Sequence, residues 1–230
     1  MYKRLLNVIL SVMLLIIITV AIKLLTDDAT QTTATERQIT IVIDPGHGGV
    51  DPGKVGVNGV VEKDLNLRIA FELRKCLNEQ GIDVILTRES DEGLYDEESS
   101  NKKATDMKRR CKIINEANPL ITVSIHQNSF TDSEVRGAQV FYYTHSDVGK
   151  KLAECIQKEL AKIPDTYNNR PVKANDKYYM LINTSCPTVI VECGFLSNHK
   201  EAEMLSDGEY QRQIAMSVMT GILDFLQNND

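Results

Sequence analysis

The sequence has no long basic run, and its formal net charge is −6 with a pI near 5.3. Proteins that bind nucleic acid neutralise phosphates with clustered lysine and arginine. This charge pattern therefore argues against nucleic acid as a partner. The cysteines also lack a closely spaced C-x-x-C pair, which argues against a zinc site built on thiolates. Their odd number, five, allows at most two disulfides. Three of them, Cys76, Cys111 and Cys155, lie in helical patterns beside apolar residues, where a free cysteine packs as a small hydrophobe, so we expect no disulfides.

The longest apolar stretch lies within residues 1–25. Lys3 and Arg4 precede a run from Leu5 to Leu25, which is about as long as the ~20 residues that a helix needs to cross a bilayer. Because the basic residues lie on its N-terminal side, the positive-inside rule places the following residues outside the cytoplasm. We therefore predict a transmembrane anchor. A cleaved signal peptide is the alternative, although its apolar core is usually only ~7–15 residues long.

Either segment would export the rest of the chain, so we predict a membrane-anchored or secreted protein with an extracytoplasmic domain. Residues 26–37 are rich in threonine, aspartate, alanine and glutamine. Such a composition cannot bury a core, and it predicts a flexible stalk. Residues 38–230 form the predicted folded domain, and the chain's 42% apolar content is enough for a real core.

Short β-branched runs alternate with amphipathic helical patterns in this domain. Strands are predicted over residues 39–43, 82–87, 120–126, 138–143 and 188–192. Helices are predicted over residues 63–79, 101–117, 147–163 and 209–226. The inward side chains of the third helix are predicted to be Val148, Leu152, Ile156 and Leu160. Residues 165–176 are predicted to be irregular, and 178–183 fit a short helix or a strand.

This alternation predicts a single α/β domain with a mostly parallel or mixed central sheet and helices on both faces. Ligands of such sheets gather at the carboxyl ends of the strands. Three polar side chains occupy that kind of position: His47 after the first strand, His126 at the end of the third, and Glu192 at the end of the last. Glu62 lies in a glycine-bounded segment just before a helix and can reach the same place.

Two imidazoles and one carboxylate are the ligand set of many catalytic zinc sites. A second carboxylate, not bound to the metal, would accept the proton of an attacking water. Each side chain also has a structural interpretation: His126 as a core histidine, Glu62 as a helix cap, and Glu192 as a buried ion-pair partner. The spacing alone leaves the roles of Glu62 and Glu192 nearly interchangeable.

Four ordered motifs resemble the zinc-dependent N-acetylmuramoyl-L-alanine amidases, and the similarity covers nearly all of residues 39–226. The motifs are DPGHGG from Asp44, Glu62-Lys63, SIHQN from Ser124 and VECGFLSN from Val191. The resemblance implies that His47, Glu62 and His126 bind Zn2+ and that Glu192 is the catalytic carboxylate. It also implies a zinc amidase domain over 38–230 that cuts the amide between the lactyl group of muramic acid and L-alanine in peptidoglycan.

Within that family, a compact domain behind one apolar segment, without appended wall-binding repeats, resembles the sporulation amidases. This implies a role in spore cortex, where removal of stem peptides allows muramic-δ-lactam to form, in the space between the forespore membranes. The family also has arginines at the places of Arg88 and Arg110. We interpret Arg110 as a solvated or salt-bridged helix residue rather than as a substrate clamp.

Two other functions fit part of the pattern. A zinc carboxypeptidase or endopeptidase acting on the stem peptide would use the same metal chemistry. A non-catalytic, membrane-tethered regulator that binds the wall would retain the fold, although the full ligand set argues against it. Because Glu62 lies on a loop, where a ligand is easily misplaced, we also expect that an activating protein partner could complete the site.

Overall fold

The computed structural model describes residues 2–30, 39–164, 166 and 168–228. They fall into two compact units, Met1–Gln38 and Ile39–Asp230. In the first unit, helix α1 spans Tyr2–Thr30, so it includes residues 26–30, where the sequence predicted a stalk. Residues 31–37 of that stalk lie outside the described residues.

Helix α1 was predicted to be a membrane anchor. Among the residues that the structure describes, no helix has both the length and the hydropathy that a bilayer crossing requires. The predicted anchor over residues 1–25 is therefore not supported by the structure.

The second unit is built on a six-stranded sheet with the order β2-β1-β3-β6-β4-β5. Strands β2, β1, β3 and β6 are parallel, β4 is antiparallel to β6, and β5 is parallel to β4. This confirms the predicted α/β class with a mixed sheet. The strands are β1 Thr40–Pro45, β2 Asp83–Leu86, β3 Ile121–Asn128, β4 Gln139–Tyr143, β5 Lys173–Asn175 and β6 Thr188–Phe195.

Helices cover both faces of the sheet. They are α2 Glu62–Glu79, α3 Lys102–Ala117, α4 Asp147–Leu160, α5 Tyr179–Asn183, α6 His199–Ser206 and α7 Gly208–Gln227. Side chains alternate between the two faces of a strand. Ile41 and Ile43 of β1 accordingly pack in the core with α2, α4 and α7. Val42 packs with Cys111 of α3 and Met180 of α5.

Some local predictions were wrong. Val148 is 45% exposed, because the buried stripe of α4 runs through Gly149, Leu152, Ala153 and Ile156 instead. The region predicted as irregular contains β5, and α6 was not predicted because its eight residues are too few to show a helical period. All five cysteines are free thiols, as predicted.

Candidate active site

The parallel strands β1, β3 and β6 are neighbours, so their carboxyl ends meet at one edge of the sheet. This arrangement brings together three of the sequence-predicted site residues. His47 follows β1, and His126 of β3 is the register partner of Glu192 in β6. The fourth, Glu62, is the first residue of α2 and is almost fully buried.

Glu62 lies between the two histidines. Its Oε1 atom is 3.2 Å from His47 Nε2 and 3.1 Å from His126 Nδ1. One ligand atom from each of the three residues can be chosen so that all lie within 4.8 Å of one another. Two imidazole nitrogens and a carboxylate oxygen at this spacing could hold a divalent metal ion and leave a fourth position open.

The carboxylate of Glu62 is held by the backbone as well. Lys54 N donates to Oε2 at 2.7 Å and Gln127 N donates to Oε1 at 3.0 Å. Burial opposes the ionisation of Glu62, but the hydrogen bonds and charges of His126 and His47 outweigh it and hold its pKa well below the usual range. The group is therefore an anion at neutral pH, as a metal ligand must be.

Two close contacts fix the imidazoles. Asp51 Oδ2 lies 3.0 Å from His47 Nδ1, which leaves Nε2 directed at Glu62. The His126 ring lies against Gly46, where an added Cβ would be only 2.2 Å from the ring atoms. His47 itself has a φ of 62°, a left-handed conformation that is rare for residues other than glycine and is concentrated at functional sites.

Glu192 differs from Glu62 in its surroundings. Its Oε2 atom is buried and has no hydrogen-bond partner in the part of the chain that the structure describes. Burial raises the pKa of Glu192 to about 7, and the nearby Glu62 charge acts in the same direction while His126 opposes it. A carboxyl group with this pKa can both accept and release a proton near neutral pH.

Buried arginines fasten the loop that carries His47. Arg110 of α3 pairs with Asp44 at 2.8 Å and also donates to the carbonyl oxygens of Pro45 and His47, at 2.7 and 2.6 Å. Arg88 donates to Pro45 O at 3.0 Å and to Gly46 O at 3.1 Å. Both guanidinium groups are inside the protein, so they position the loop. Of the two interpretations of Arg110, a solvated or a salt-bridged residue, the second agrees with this geometry, because Arg110 is buried and pairs with Asp44 and Asp106.

Two cavities of different character open onto these side chains. One, of about 240 Å3, is largely apolar and is lined by Met107, Tyr178, Tyr179, Met180 and Ile190. The other, of about 370 Å3, is polar and includes Lys54, Lys103, Gln127, Asn128 and Ser129. Both also touch His47, His126, Tyr178 and Glu192. If the scissile bond of a substrate lay among those four residues, one part of the substrate would extend into the apolar cavity and the other part into the polar cavity.

Asp51 and Tyr178 were not predicted as site residues. Asp51 follows His47 by four residues in the same glycine-rich loop, and that spacing could have indicated a carboxylate oriented to the imidazole. Tyr178 precedes the short helix α5 by one residue, in a segment whose structure the sequence left open. No sequence pattern pointed to its place beside Glu192.

The fold and site together define an α/β protein with a candidate His–Glu–His metal centre at the carboxyl edge of a mixed sheet. Residues 41–224 match the family model described as N-acetylmuramoyl-L-alanine amidase. The chain belongs to this amidase family and is an enzyme of that class.

Individual relatives agree with this assignment. The germination-specific N-acetylmuramoyl-L-alanine amidase of Bacillus subtilis (strain 168) is 40% identical over 188 residues, which cover 80% of this chain and 78% of that protein. The solved structure of the CwlD amidase from Clostridioides difficile in complex with the GerS lipoprotein has 43% identity and a TM-score of 0.80, and the match covers 83% of this chain and 100% of that one. The solved structure of the amidase AmiC2 of Nostoc punctiforme has 34% identity and a TM-score of 0.72, and the match covers 83% of this chain and 98% of that one.

Proposed function

We propose that the chain is a zinc-dependent hydrolase of the amide between the lactyl group of N-acetylmuramic acid and L-alanine in peptidoglycan. The family membership supports the reaction class. The observation that carries the mechanism is the position of Glu62, whose Oε1 lies within 3.2 Å of one nitrogen of each of two histidines. Beside this group, Glu192 supplies a buried carboxyl oxygen that has no other described partner.

His47 through Nε2, His126 through Nδ1, and Glu62 through its carboxylate would hold the zinc ion. The donor set fits, because two nitrogens and one oxygen form a site that leaves a position for substrate or water. When bound, zinc polarises a carbonyl oxygen and lowers the pKa of a coordinated water toward ~7. Asp51 keeps Nε2 of His47 free for this role by accepting from Nδ1 at 3.0 Å.

Glu192 is the proposed general base and acid. As a carboxylate, it would take a proton from the attacking water and then pass that proton to the departing nitrogen of L-alanine. Its burial supports the role, because a pKa near 7 allows both halves of the transfer. Glu62 cannot share this role, since its oxygens already contact two imidazoles and two backbone amides.

The two other functions are less well supported. A regulator without activity would not need the unpartnered oxygen of Glu192, which costs free energy to bury. A peptidase acting on the stem peptide would use the same side chains for the same metal chemistry. The family match and the amidases among the relatives favour the lactyl–alanine bond.

The germination-specific relative supports a role in the spore cortex, where loss of stem peptides permits formation of muramic-δ-lactam. Such a role would place the domain outside the cytoplasm, in the space between the forespore membranes. The relative solved in complex with a lipoprotein supports the expectation of a protein partner. Full zinc occupancy and activity in the isolated chain would show that no partner is needed to complete the site.

Digestion of purified peptidoglycan by the full-length chain tests the proposal. We expect mass spectrometry to find a free lactyl carboxylate on muramic acid together with released peptides that begin with L-alanine, and we expect a zinc chelator to stop their release. Loss of a terminal D-alanine, with the lactyl amide intact, would identify a peptidase instead. Absence of any cleavage by a zinc-loaded chain would favour the regulator.

A further inference from the structure

The two cavities that meet at Glu192 differ in a way that orients a substrate. The wall of the smaller cavity contributes methionine, tyrosine and isoleucine side chains, and Ser124, its small polar residue, already donates to Asp44 at 2.6 Å. The wall of the larger cavity contributes two lysines and several amide and hydroxyl groups, together with the carboxyl groups of Asp51, Glu62 and Glu192. Asp51 is already paired with Lys103, and Glu62 contacts both histidines, so the charge of Lys54 is not used by either. An anionic group is therefore stabilised on one side of the reacting centre and not on the other.

The two lysines of the polar cavity are not equivalent. Lys103 lies 2.7 Å from Asp51, so its charge is already paired, and Asp51 in turn contacts His47. Lys54 is exposed, and no acidic side chain among the described residues forms an ion pair with it. Its backbone is engaged with Glu62: Lys54 N donates to Glu62 Oε2 at 2.7 Å, and Lys54 O accepts from Glu62 N at 2.9 Å. Lys54 is thus a cation on a fixed backbone beside the candidate metal centre, free to pair with a ligand.

The substrate of the proposed reaction, like the site, has one uncharged side and one side that carries charge. On one side of the scissile amide are the lactyl methyl group and a sugar with an acetamido group, none of them charged. On the other side, L-alanine is followed by a γ-linked D-glutamate whose α-carboxylate is free unless it has been amidated. Because one residue of extended chain spans about 3.5 Å, that carboxylate lies within roughly 7 Å of the scissile nitrogen.

We propose that the stem peptide leaves the reacting centre through the polar cavity and that Lys54 binds the α-carboxylate of its second residue. The lactyl and sugar side then faces Met107, Tyr178 and Met180. Lys54 can reach the carboxylate because it lines the polar cavity and its backbone nitrogen is one hydrogen bond from a candidate metal ligand. This inference rests on the proposed amidase function and adds to it the direction of the substrate and a preference for a free acid.

Two synthetic muramyl peptides that differ in one group test the inference. One carries D-glutamate as its second residue, and the other carries its α-amide, D-isoglutamine. We expect the full-length, zinc-loaded chain to cleave the free acid with a kcat/KM roughly fivefold higher at low salt, the size expected of a partly exposed ion pair. Added salt should reduce this ratio, because it screens exposed charges.

The variant Lys54→Gln should bring the ratio of kcat/KM for the two substrates to about one, and because both substrates are compared in the same variant, this ratio does not depend on its absolute rate. Lys151→Gln is the matched control, because Lys151 is an exposed lysine of α4, a helix that carries no residue of the candidate site. The control should keep the wild-type ratio. Zinc content and thermal unfolding of both variants should match the wild type, which shows that the change acts on substrate alone.

A ratio of about one in the wild type, or a fivefold ratio that persists in Lys54→Gln, would overturn the inference and leave the amidase function in place. Failure of the zinc-loaded wild type to cleave either peptide at the lactyl amide would overturn the proposed function itself, and this inference with it. The two failures are therefore separate observations in one experiment.

Discussion

His126 and Glu192 are register partners on the neighbouring parallel strands β3 and β6. The pairing fixes the distance between a candidate metal ligand and the carboxyl group proposed to move the proton, since both side chains leave the backbone at the same level of the sheet. The backbone of a sheet is more rigid than that of a loop, so this separation does not depend on substrate binding.

The variant Glu192→Gln separates proton transfer from metal binding. The amide has nearly the shape of the carboxyl group but cannot accept the proton of a water molecule, so we expect the cleavage rate to fall by about 10²–10⁴-fold. Zinc content, measured by atomic absorption, should not change. Glu203→Gln on the exposed surface of α6 is the matched control and should keep full activity. Retained activity in the Glu192 variant would exclude it as the base.

Unlike the Glu192 variant, the variant Glu62→Gln should weaken zinc binding. The amide loses the negative charge that both histidines contact and presents a donor where Lys54 N and Gln127 N also donate. We expect zinc affinity, measured by competition with a chromophoric chelator, to fall by more than about 100-fold, because even the loss of an outer partner costs 10–100-fold. An unchanged affinity would contradict the assignment of Glu62 as a ligand.

Asp51→Asn tests how His47 is oriented. The amide side chain could still occupy the space, but it would no longer offer a carboxylate to His47 Nδ1 or to Lys103. Loss of such an outer partner typically lowers metal affinity by 10–100-fold, and we expect that range here in the same chelator competition. The loss should appear in zinc affinity, whereas the rate of the fully zinc-loaded variant should change much less. Wild-type affinity would show that the contact does not orient the histidine.

Gly46→Ala tests whether the loop needs a residue without a side chain beside the His126 ring. An added methyl group would meet the His126 ring at 2.2 Å, with no positive φ at Gly46 to complicate the comparison. The ring must move, so we expect zinc binding and cleavage both to be lost. Gly208→Ala is the matched control, because nothing lies within 4 Å of a methyl group placed there. Normal zinc affinity in the Gly46 variant would mean that the loop can shift without cost.

The fold was largely predictable because its strands are continuous runs of β-branched residues. Buried parallel strands such as β1 and β6 show this pattern strongly, and the helices α2 and α7 show a clear 3.6-residue period. β5 and α6 did not, since three strand residues and eight helical residues give too short a pattern. Val148 was wrongly predicted to face the core, because its four-residue spacing from Leu152 does not show whether the buried stripe of α4 includes residue 148 or residue 149.

The sequence predicted which residues form the site but not the role of each carboxylate. The ends of the strands indicated His47, His126 and Glu192, but the sequence alone did not separate the roles of Glu62 and Glu192. That separation depends on three-dimensional partners: two backbone amides and two imidazoles reach Glu62, whereas one oxygen of Glu192 has no described partner. The ion pair of Asp51 with Lys103 likewise arises from how α3 packs beside the loop, which no local pattern encodes.

The ion pair of Asp44 and Arg110 should make stability depend on pH in acid. Burial opposes ionisation of Asp44, but the Arg110 charge and hydrogen bonds from Ser124 and Thr87 lower its pKa to about 2, from 3.8 when unperturbed. Since the folded-state pKa is the lower one, the stabilisation is fully present above about pH 4 and is lost as the pH falls toward 2. The shift corresponds to about 2 kcal/mol.

Asp44→Asn removes the titrating group and leaves Arg110 buried without its partner, which should destabilise the fold by about 3–5 kcal/mol at pH 7. In urea unfolding, the difference in free energy between wild type and variant should narrow by about 2 kcal/mol between pH 6 and pH 2. Other acidic groups titrate in both proteins and cancel in that difference. The carboxyl chemical shift of Asp44, followed by NMR in the wild type, gives its pKa independently. A difference that stays constant with pH, together with an ordinary Asp44 pKa, would show that the pair does not stabilise the loop through its charge.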